Sequence, residues 1–378
     1  MSLVYFTNAR SRKSSESLLE KLDRLANSSG LPNMISPNDK VFIKCHMGAP
    51  LTTRYLRPIF VRKVVDIVRS LGGNPVVVET TGMGLLDSRG TAEKYLKVAA
   101  SHGFTPEVLN APIMIADGER GLDILRVESS STSSEEVSLA GALSEADFLI
   151  GLAHFKGHAI VGLGGAVKNI AIGLSSKEGK YMFHYENKPK IIQEKCNFCN
   201  ECLAVCPSNG AIKVSGDTLE IDHTLCIGCL ACMAKCRASA IMARRREDLS
   251  ECQRRLAEMA KAVVKVVGAE NVFFVNFLLE VDWLCDCEHG EQGWSDAPIV
   301  PDQGIAASTD PVALDTFSAD LVNSAPGIPG SRAEEVNALE PGTDKFRAFF
   351  PNVNWREGLA ACERLGLGKM DYRLVEVD

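Results

Sequence analysis

The chain has 378 residues, 46 % of them hydrophobic and 24 % charged, with a formal net charge of −7. That length predicts two or three domains with ample apolar material for a core. The negative balance argues against non-specific nucleic-acid binding, which needs a basic field.

No apolar run reaches the roughly 18 residues of a membrane-spanning helix, and the opening MSLVYFTNARSRKSSESL lacks the apolar stretch of a signal peptide. No membrane association is therefore expected. Thirteen cysteines without an export signal predict a reducing, cytoplasmic setting, where thiols serve metal or redox chemistry rather than disulfides.

In chain order, Val41 to Lys44 and Pro75 to Glu79 are short apolar runs with β-branched residues, which predicts buried strands. Between them, Leu56, Ile59, Phe60, Val64, Ile67, Val68 and Leu71 recur at helical spacing, and Gly72 and Gly73 supply the stop. Strand, helix, strand implies a parallel sheet with crossover helices. The serine-rich run from Ser129 to Ser134, followed by Glu135 and Glu136, predicts an exposed loop, and Phe148 to Gly151 a further strand. A helix is expected over Asp248 to Val267, a buried strand over Asn271 to Leu279, and a helix over Pro311 to Val322 with Asp310 as its cap. The fold class is α/β: a mainly parallel sheet domain formed by residues 1–189 and 247–378, interrupted by an insert at 190–246.

The insert holds eight cysteines and an internal repeat. Cys196, Cys199, Cys202 and Cys206 recur thirty residues later as Cys226, Cys229, Cys232 and Cys236, both in the spacing C-x2-C-x2-C-x3-C. Three thiolates two residues apart can wrap one face of an iron–sulfur cube, while the fourth, on the following helix, points away from it. Zinc sites usually pair cysteines in separate knuckles, so zinc is the weaker reading. Lys195, Lys235, Arg237 and Arg244 to Arg246 place positive charge nearby, which raises a cluster's reduction potential.

Over about 55 positions the insert resembles the bacterial two-[4Fe–4S] ferredoxins. The resemblance implies an α+β ferredoxin-like module with two [4Fe–4S] clusters. Cys196, Cys199, Cys202 and Cys236 would hold one, and Cys226, Cys229, Cys232 and Cys206 the other. Arg237 stands where the family usually has a proline, a change that leaves the ligands intact.

Outside the insert, His154, Lys156 and His158 precede the glycine-rich run Gly162, Gly164, Gly165 and then Lys168 and Asn169. This segment follows a predicted strand, and ligands of open α/β sheets bind at carboxyl strand ends. The glycines would let an anion approach backbone N–H groups, with Lys168 adding charge. The spacing matches neither a Walker A loop nor a dinucleotide fingerprint. Cys285, Asp286, Cys287 and His289 offer metal ligands or redox-active thiols after the Asn271–Leu279 strand. His46, beside Cys45, ends an earlier strand at the same edge if the strands are parallel. Cys252 and Cys362 fall on predicted helices as packing residues.

Taken together, the Val41–Gly48 strand, His154 to Asn169, Cys285-Asp-Cys287, Pro298 to Asp302 and Ser308 to Leu314 resemble the DUF362 family over nearly the whole chain. That resemblance implies an iron–sulfur protein of anaerobic metabolism and names no substrate. The expectation is an oxidoreductase that takes electrons from a partner protein and passes them to a small-molecule site. That site would comprise His46, His154, His158, Lys168, Asn169, Cys285 and Cys287. A pure electron carrier and a metal- or cofactor-handling protein are the alternatives, and a further metal or a flavin is left open.

Overall fold

The strands of this chain form because their β-branched and aromatic runs can be buried on both faces at once, as a covered parallel sheet requires. In the computed structural model, which describes residues 1–129, 136–287 and 294–377, eight of them make one sheet. They are β1 (Ser2–Asn8), β2 (Lys40–Cys45), β3 (Asn74–Glu79), β4 (Ile113–Ile115), β5 (Phe148–His154), β6 (Val272–Leu278), β7 (Gly304–Ser308) and β8 (Tyr372–Glu376). Their spatial order is β8-β1-β7-β6-β5-β2-β3-β4. The pairs from β6 to β4 are all parallel, β7 runs antiparallel to both its neighbours, and β8 lies parallel to β1. The sheet is thus mainly parallel, and the α/β class stands.

Alternation along the strands separates two cores. Phe42, Val76, Val78, Leu149 and Phe274 face one, with the helices Leu249–Val267, Pro311–Ser324 and Trp355–Arg364. Val41, Ile43, Cys45, Val77, Ile150 and Phe277 face the other, with Leu18–Ser28, Pro58–Ser70 and Ala92–Ser101. Cys252 and Cys362 are buried in the first core, as packing residues should be. Helix caps fall where the side-chain chemistry puts them: Asp248 accepts from Ser250 and Glu251 N–H, and Asp310 from Val312 and Ala313 N–H.

The insert is closed by an antiparallel pairing of Lys190–Ile191 with Ile241–Met242. Inside it the sequence repeat is also a backbone repeat. Phe198 and Gly228, and likewise Asn200 and Leu230, are thirty residues apart and all have positive φ. Each such pair precedes a short helix, Glu201–Val205 and Ala231–Lys235. Ser130 to Ser134, Glu135 and His289 lie outside the described residues.

Candidate functional site

Because β2, β3, β5 and β6 are parallel, their carboxyl ends open on one edge, and the segments leaving them surround a cavity of about 350 Å³. β2 brings Lys44 and His46; β3 brings Glu79 to Met83 and then Asp87 and Arg89; β5 brings His154, Lys156 and His158; the segment after β6 brings Cys285 and Cys287. Lys168, Asn169 and Lys180 enter from the helices Ala166–Ala171 and Lys177–His184. All seven catalytic residues expected from the sequence therefore line one cavity.

Their roles in the geometry differ. Asn169 is used by the scaffold: its amide donates to the Lys44 and Leu152 carbonyls, and its oxygen accepts from the Lys44 ammonium at 3.1 Å. Gly164 and Gly165 line the cavity, whereas Gly162 packs against Trp355. The segment whose glycines were expected to offer backbone N–H groups to an anion forms a short hairpin, Lys156–His158 with Gly162–Gly164, and then a buried helix. The N–H groups of Ala166 and Val167 go to the Asp315 carboxylate at 2.7 and 3.0 Å. Those two donors are thus committed to a carboxylate of the chain itself. Cys45 is buried in the opposite core.

Two buried ion pairs organise the floor. Lys44 meets Glu79 at 2.8 Å, and Lys156 meets Asp286 at 2.7 Å. Burial would raise both carboxyls, but Lys44 and His46 on one, and Lys156 and His154 on the other, hold them well below the usual range. His46 Nδ1 lies 3.1 Å from Glu79 Oε1 and 3.0 Å from the Tyr95 hydroxyl, while its buried Nε2 has no partner. Burial lowers the His46 pKa against the pull of Glu79, so the ring is neutral near pH 7 with a nitrogen available for a proton. His154 places Nε2 at 3.0 Å from the Leu279 carbonyl and Nδ1 at 3.4 Å from Asp286.

Lys168 donates to both Cys285 Sγ and Cys287 Sγ, at 3.0 and 2.9 Å. Burial pushes the Cys285 thiol up to about 12. Arg89, Lys180 and Arg245 add cationic charge to the lining, so the cavity suits an anionic ligand. Glu79, Tyr95, Arg89 and Lys180 were not singled out from the sequence. Only Glu79 carried a signal there, an acidic residue ending an apolar strand.

Lys177 stands just behind the lining, donating to the Thr81 hydroxyl at 2.9 Å and to the Gly82 carbonyl. Burial, aided by Lys180 and opposed by Asp117, lowers its pKa from 10.5 to about 7. Between those values the unfolded chain binds the extra proton, so this residue makes folding stability rise with pH from about 7 toward 10.5. Replacing Lys177 with Met is expected to flatten that rise, read as the thermal midpoint at pH 7, 8.5 and 10.

Two residues of the insert, Leu230 and Arg245, line this cavity, and Leu230 stands between Cys229 and Cys232. Leu85 N–H donates to the Cys229 carbonyl at 3.0 Å, and Lys188 donates to the Cys226 carbonyl. Gly228 has φ +69° and sits so close to Tyr181 that a Cβ there would lie 2.1 Å from its ring. Tyr181 stacks on Tyr185 at 4.7 Å, and Arg245 lies over the Tyr185 ring. The other arginines of that run are bound elsewhere: Arg244 pairs with Glu186 and Glu247, and Arg246 holds the Met182 and Tyr185 carbonyls.

The insert's cysteines gather four and four. One small cavity is lined by Cys206, Cys226, Cys229 and Cys232 with Ile212, Ile221 and Ile227; a second is lined by Cys196, Cys199, Cys202 and Cys236 with Leu219 and Ile241. Among the described residues no cysteine is in a disulfide. Four sulfur donors in an apolar-walled space are the donor chemistry of a [4Fe–4S] cluster. The first set abuts the α/β domain, whereas the second lies outward, with Cys199 exposed and Phe198 42 % exposed.

Fold and site define an α/β protein with a cation-rich cavity at its carboxyl sheet edge, abutted by a cysteine-rich insert. The family model described as "Domain of unknown function (DUF362)" matches residues 41–320, and the chain belongs to that family. It is similar to the pyruvate synthase subunit PorD of Methanocaldococcus jannaschii, 35 % identical over 60 residues, covering 16 % of this chain and 70 % of that one. A thylakoid-associated protein of Synechocystis is 27 % identical over 160 residues, 42 % of this chain and 46 % of its own length. Component A of hydrogenase-4 of Escherichia coli is 44 % identical over 50 residues, 13 % of this chain and 24 % of that protein. Among solved structures, the lactate racemase apoprotein of Thermoanaerobacterium thermosaccharolyticum aligns over all of this chain and 83 % of that one, with a TM-score of 0.40 and 10 % identity. Among the described residues, no helix is long and apolar enough to cross a membrane.

Proposed function

We propose that the protein is an iron–sulfur oxidoreductase that delivers electrons to an anionic small molecule bound in the sheet-edge cavity. Cys196, Cys199, Cys202 and Cys236 would hold an outer [4Fe–4S] cluster, and Cys226, Cys229, Cys232 and Cys206 an inner one. When bound, the clusters supply one-electron transfer. The observation that carries this reading is Leu230, which is both part of the inner cysteine loop and part of the cavity wall.

The chain's own residues divide the remaining work. Arg89 and Lys168 hold the anionic group, and the Lys44–Glu79 pair fixes the His46 ring in the cavity lining. His46, neutral at rest, takes up and passes on the proton that a reduction requires. The exposed Cys199 end is where an electron-donor protein would dock. Similarity to parts of a pyruvate synthase and a hydrogenase supports a redox role.

A carrier that only relays electrons has no use for a cavity on which charged side chains converge. The burial of Lys156–His158, Gly162–Gly164 and Lys168 weighs against that reading.

The test is reoxidation of the chemically reduced protein by carboxylate- and phosphate-bearing acceptors. Saturable reoxidation is expected with at least one acceptor, and Arg89→Met should slow it at least a hundredfold. Reoxidation by a dye at the outer cluster should be unchanged. Equal rates in the variant and the unaltered protein would remove the cavity from the account.

A further inference from the structure

We infer that Cys285 and Cys287 form a reversible dithiol–disulfide couple that stores an electron pair beside the cavity. For its electron supply this rests on the function proposed above. The two sulfurs stand 3.2 Å apart. Two thiolates sharing a tetrahedral zinc at 2.3 Å would stand about 3.8 Å apart, and a disulfide needs about 2.05 Å. With one residue between the cysteines, the closed ring is small and strained, which places its potential on the readily reduced side.

The surroundings suit sulfur redox chemistry. The Lys168 ammonium lies 3.0 and 2.9 Å from the two sulfurs, where it stabilises the thiolate that attacks or leaves in disulfide exchange. Arg89 donates to the Cys287 carbonyl at 3.4 Å and holds the turn. His158 completes the group, its ring nitrogen within 4.8 Å of both sulfurs.

These three residues could suggest a third metal site, but the histidine argues otherwise. Its Nδ1 accepts N–H bonds from Ile160 and Val161 at 3.1 and 3.3 Å, so the proton of the neutral ring sits on Nε2. Neither nitrogen then has a lone pair to spare for a cation, whereas Nε2–H can donate a hydrogen bond.

The half-reaction balances without any further reagent. The Sγ–Sγ bond breaks as the pair takes up two electrons and two protons, and two S–H bonds form. The electrons arrive one at a time from a low-potential donor protein through the insert, and the protons come by way of the Lys168 ammonium, which is reprotonated from solvent between the two transfers. In the reverse direction the pair hands two electrons and two protons to the cavity ligand together. A chain that receives single electrons thereby acquires a two-electron output.

The test uses holoprotein purified without oxygen. It is treated with diamide, or with diamide followed by reduced viologen, then denatured in acid and alkylated, and the peptide carrying both cysteines is weighed. After diamide the peptide is expected unalkylated and two hydrogens lighter; after viologen it is expected doubly alkylated. Cys285→Ser should leave Cys287 alkylated in both states. Viologen should reduce the pair at least tenfold more slowly in Cys229→Ser, while dithiothreitol reduces both proteins alike.

Double alkylation after diamide, with the iron retained, would overturn the couple, as would one zinc per chain held by these two sulfurs. If the protein carries no iron yet dithiothreitol still cycles the pair, the couple stands and the electron-supply reading fails.

Discussion

A Cys229→Ser chain purified without oxygen is expected to hold roughly four irons where the unaltered chain holds roughly eight, and to lose reoxidation by the cavity ligand. The reason is positional. Cys229 belongs to the set that abuts the α/β domain, where its carbonyl accepts from Leu85 and its neighbour Leu230 lines the cavity. Serine offers a harder oxygen in place of a soft thiolate, and iron–sulfur clusters select thiolate. Cys199→Ser should give the opposite pattern: the outer set is disturbed, reduction by a donor protein falls, and transfer from the inner set to the cavity survives. Iron analysis and low-temperature electron paramagnetic resonance of the two variants check this. Equal behaviour would mean that the two sets are not ordered from surface to cavity.

Lys44→Met is expected to lower folding stability by about 3–5 kcal/mol, the cost of leaving a buried charge without its partner. Lys44 is 1 % exposed and Glu79 4 %, so water cannot replace the lost ammonium. Thr80 N–H and His46 would still contact the carboxylate, which places the expectation toward the lower end of that range. Because Lys44 also donates to Asn169, the loss should loosen the tie between β2 and the Ala166–Ala171 helix. Lys44→Met with Glu79→Gln should recover part of the loss, since the second change removes the orphaned charge. Denaturant unfolding of the single and double variants measures both terms. A single variant within 1 kcal/mol of the unaltered chain would show that the pair does not anchor the cavity floor.

The fold was legible where its physics is local. Val41 to Lys44, Pro75 to Glu79 and Asn271 to Leu279 are buried on both faces, so their continuous apolar runs announce strands. The strands β1 and β8, at one end of the sheet, were not anticipated: Ser2–Asn8 and Tyr372–Glu376 mix exposed polar and partly buried residues and gain their partners from distant parts of the chain. The antiparallel direction of β7 is likewise set by what it packs between. The repeat in the insert was plain because thirty-residue spacing survives any packing, and the same spacing returns in the positive φ values of Phe198, Gly228, Asn200 and Leu230.

The cavity was half legible. Histidines, lysine and cysteines at strand ends could be named from the sequence, and parallel strands bring them to one edge. Glu79, Tyr95, Arg89 and Lys180 matter through contacts made across tens of residues, such as Tyr95 with His46. The glycine run promises backbone donors for an anion, because nothing in the sequence says that Asp315, about 150 residues later, accepts the Ala166 and Val167 N–H groups that follow it.

The most direct test of the central claim is the iron and acid-labile sulfide content of the chain purified without oxygen, joined to the paramagnetic spectrum of its fully reduced form. Two four-iron clusters require roughly eight of each per chain, and two reduced clusters in one small insert should broaden each other's signals. Zinc in place of iron, or a single uncoupled cluster, would contradict the account.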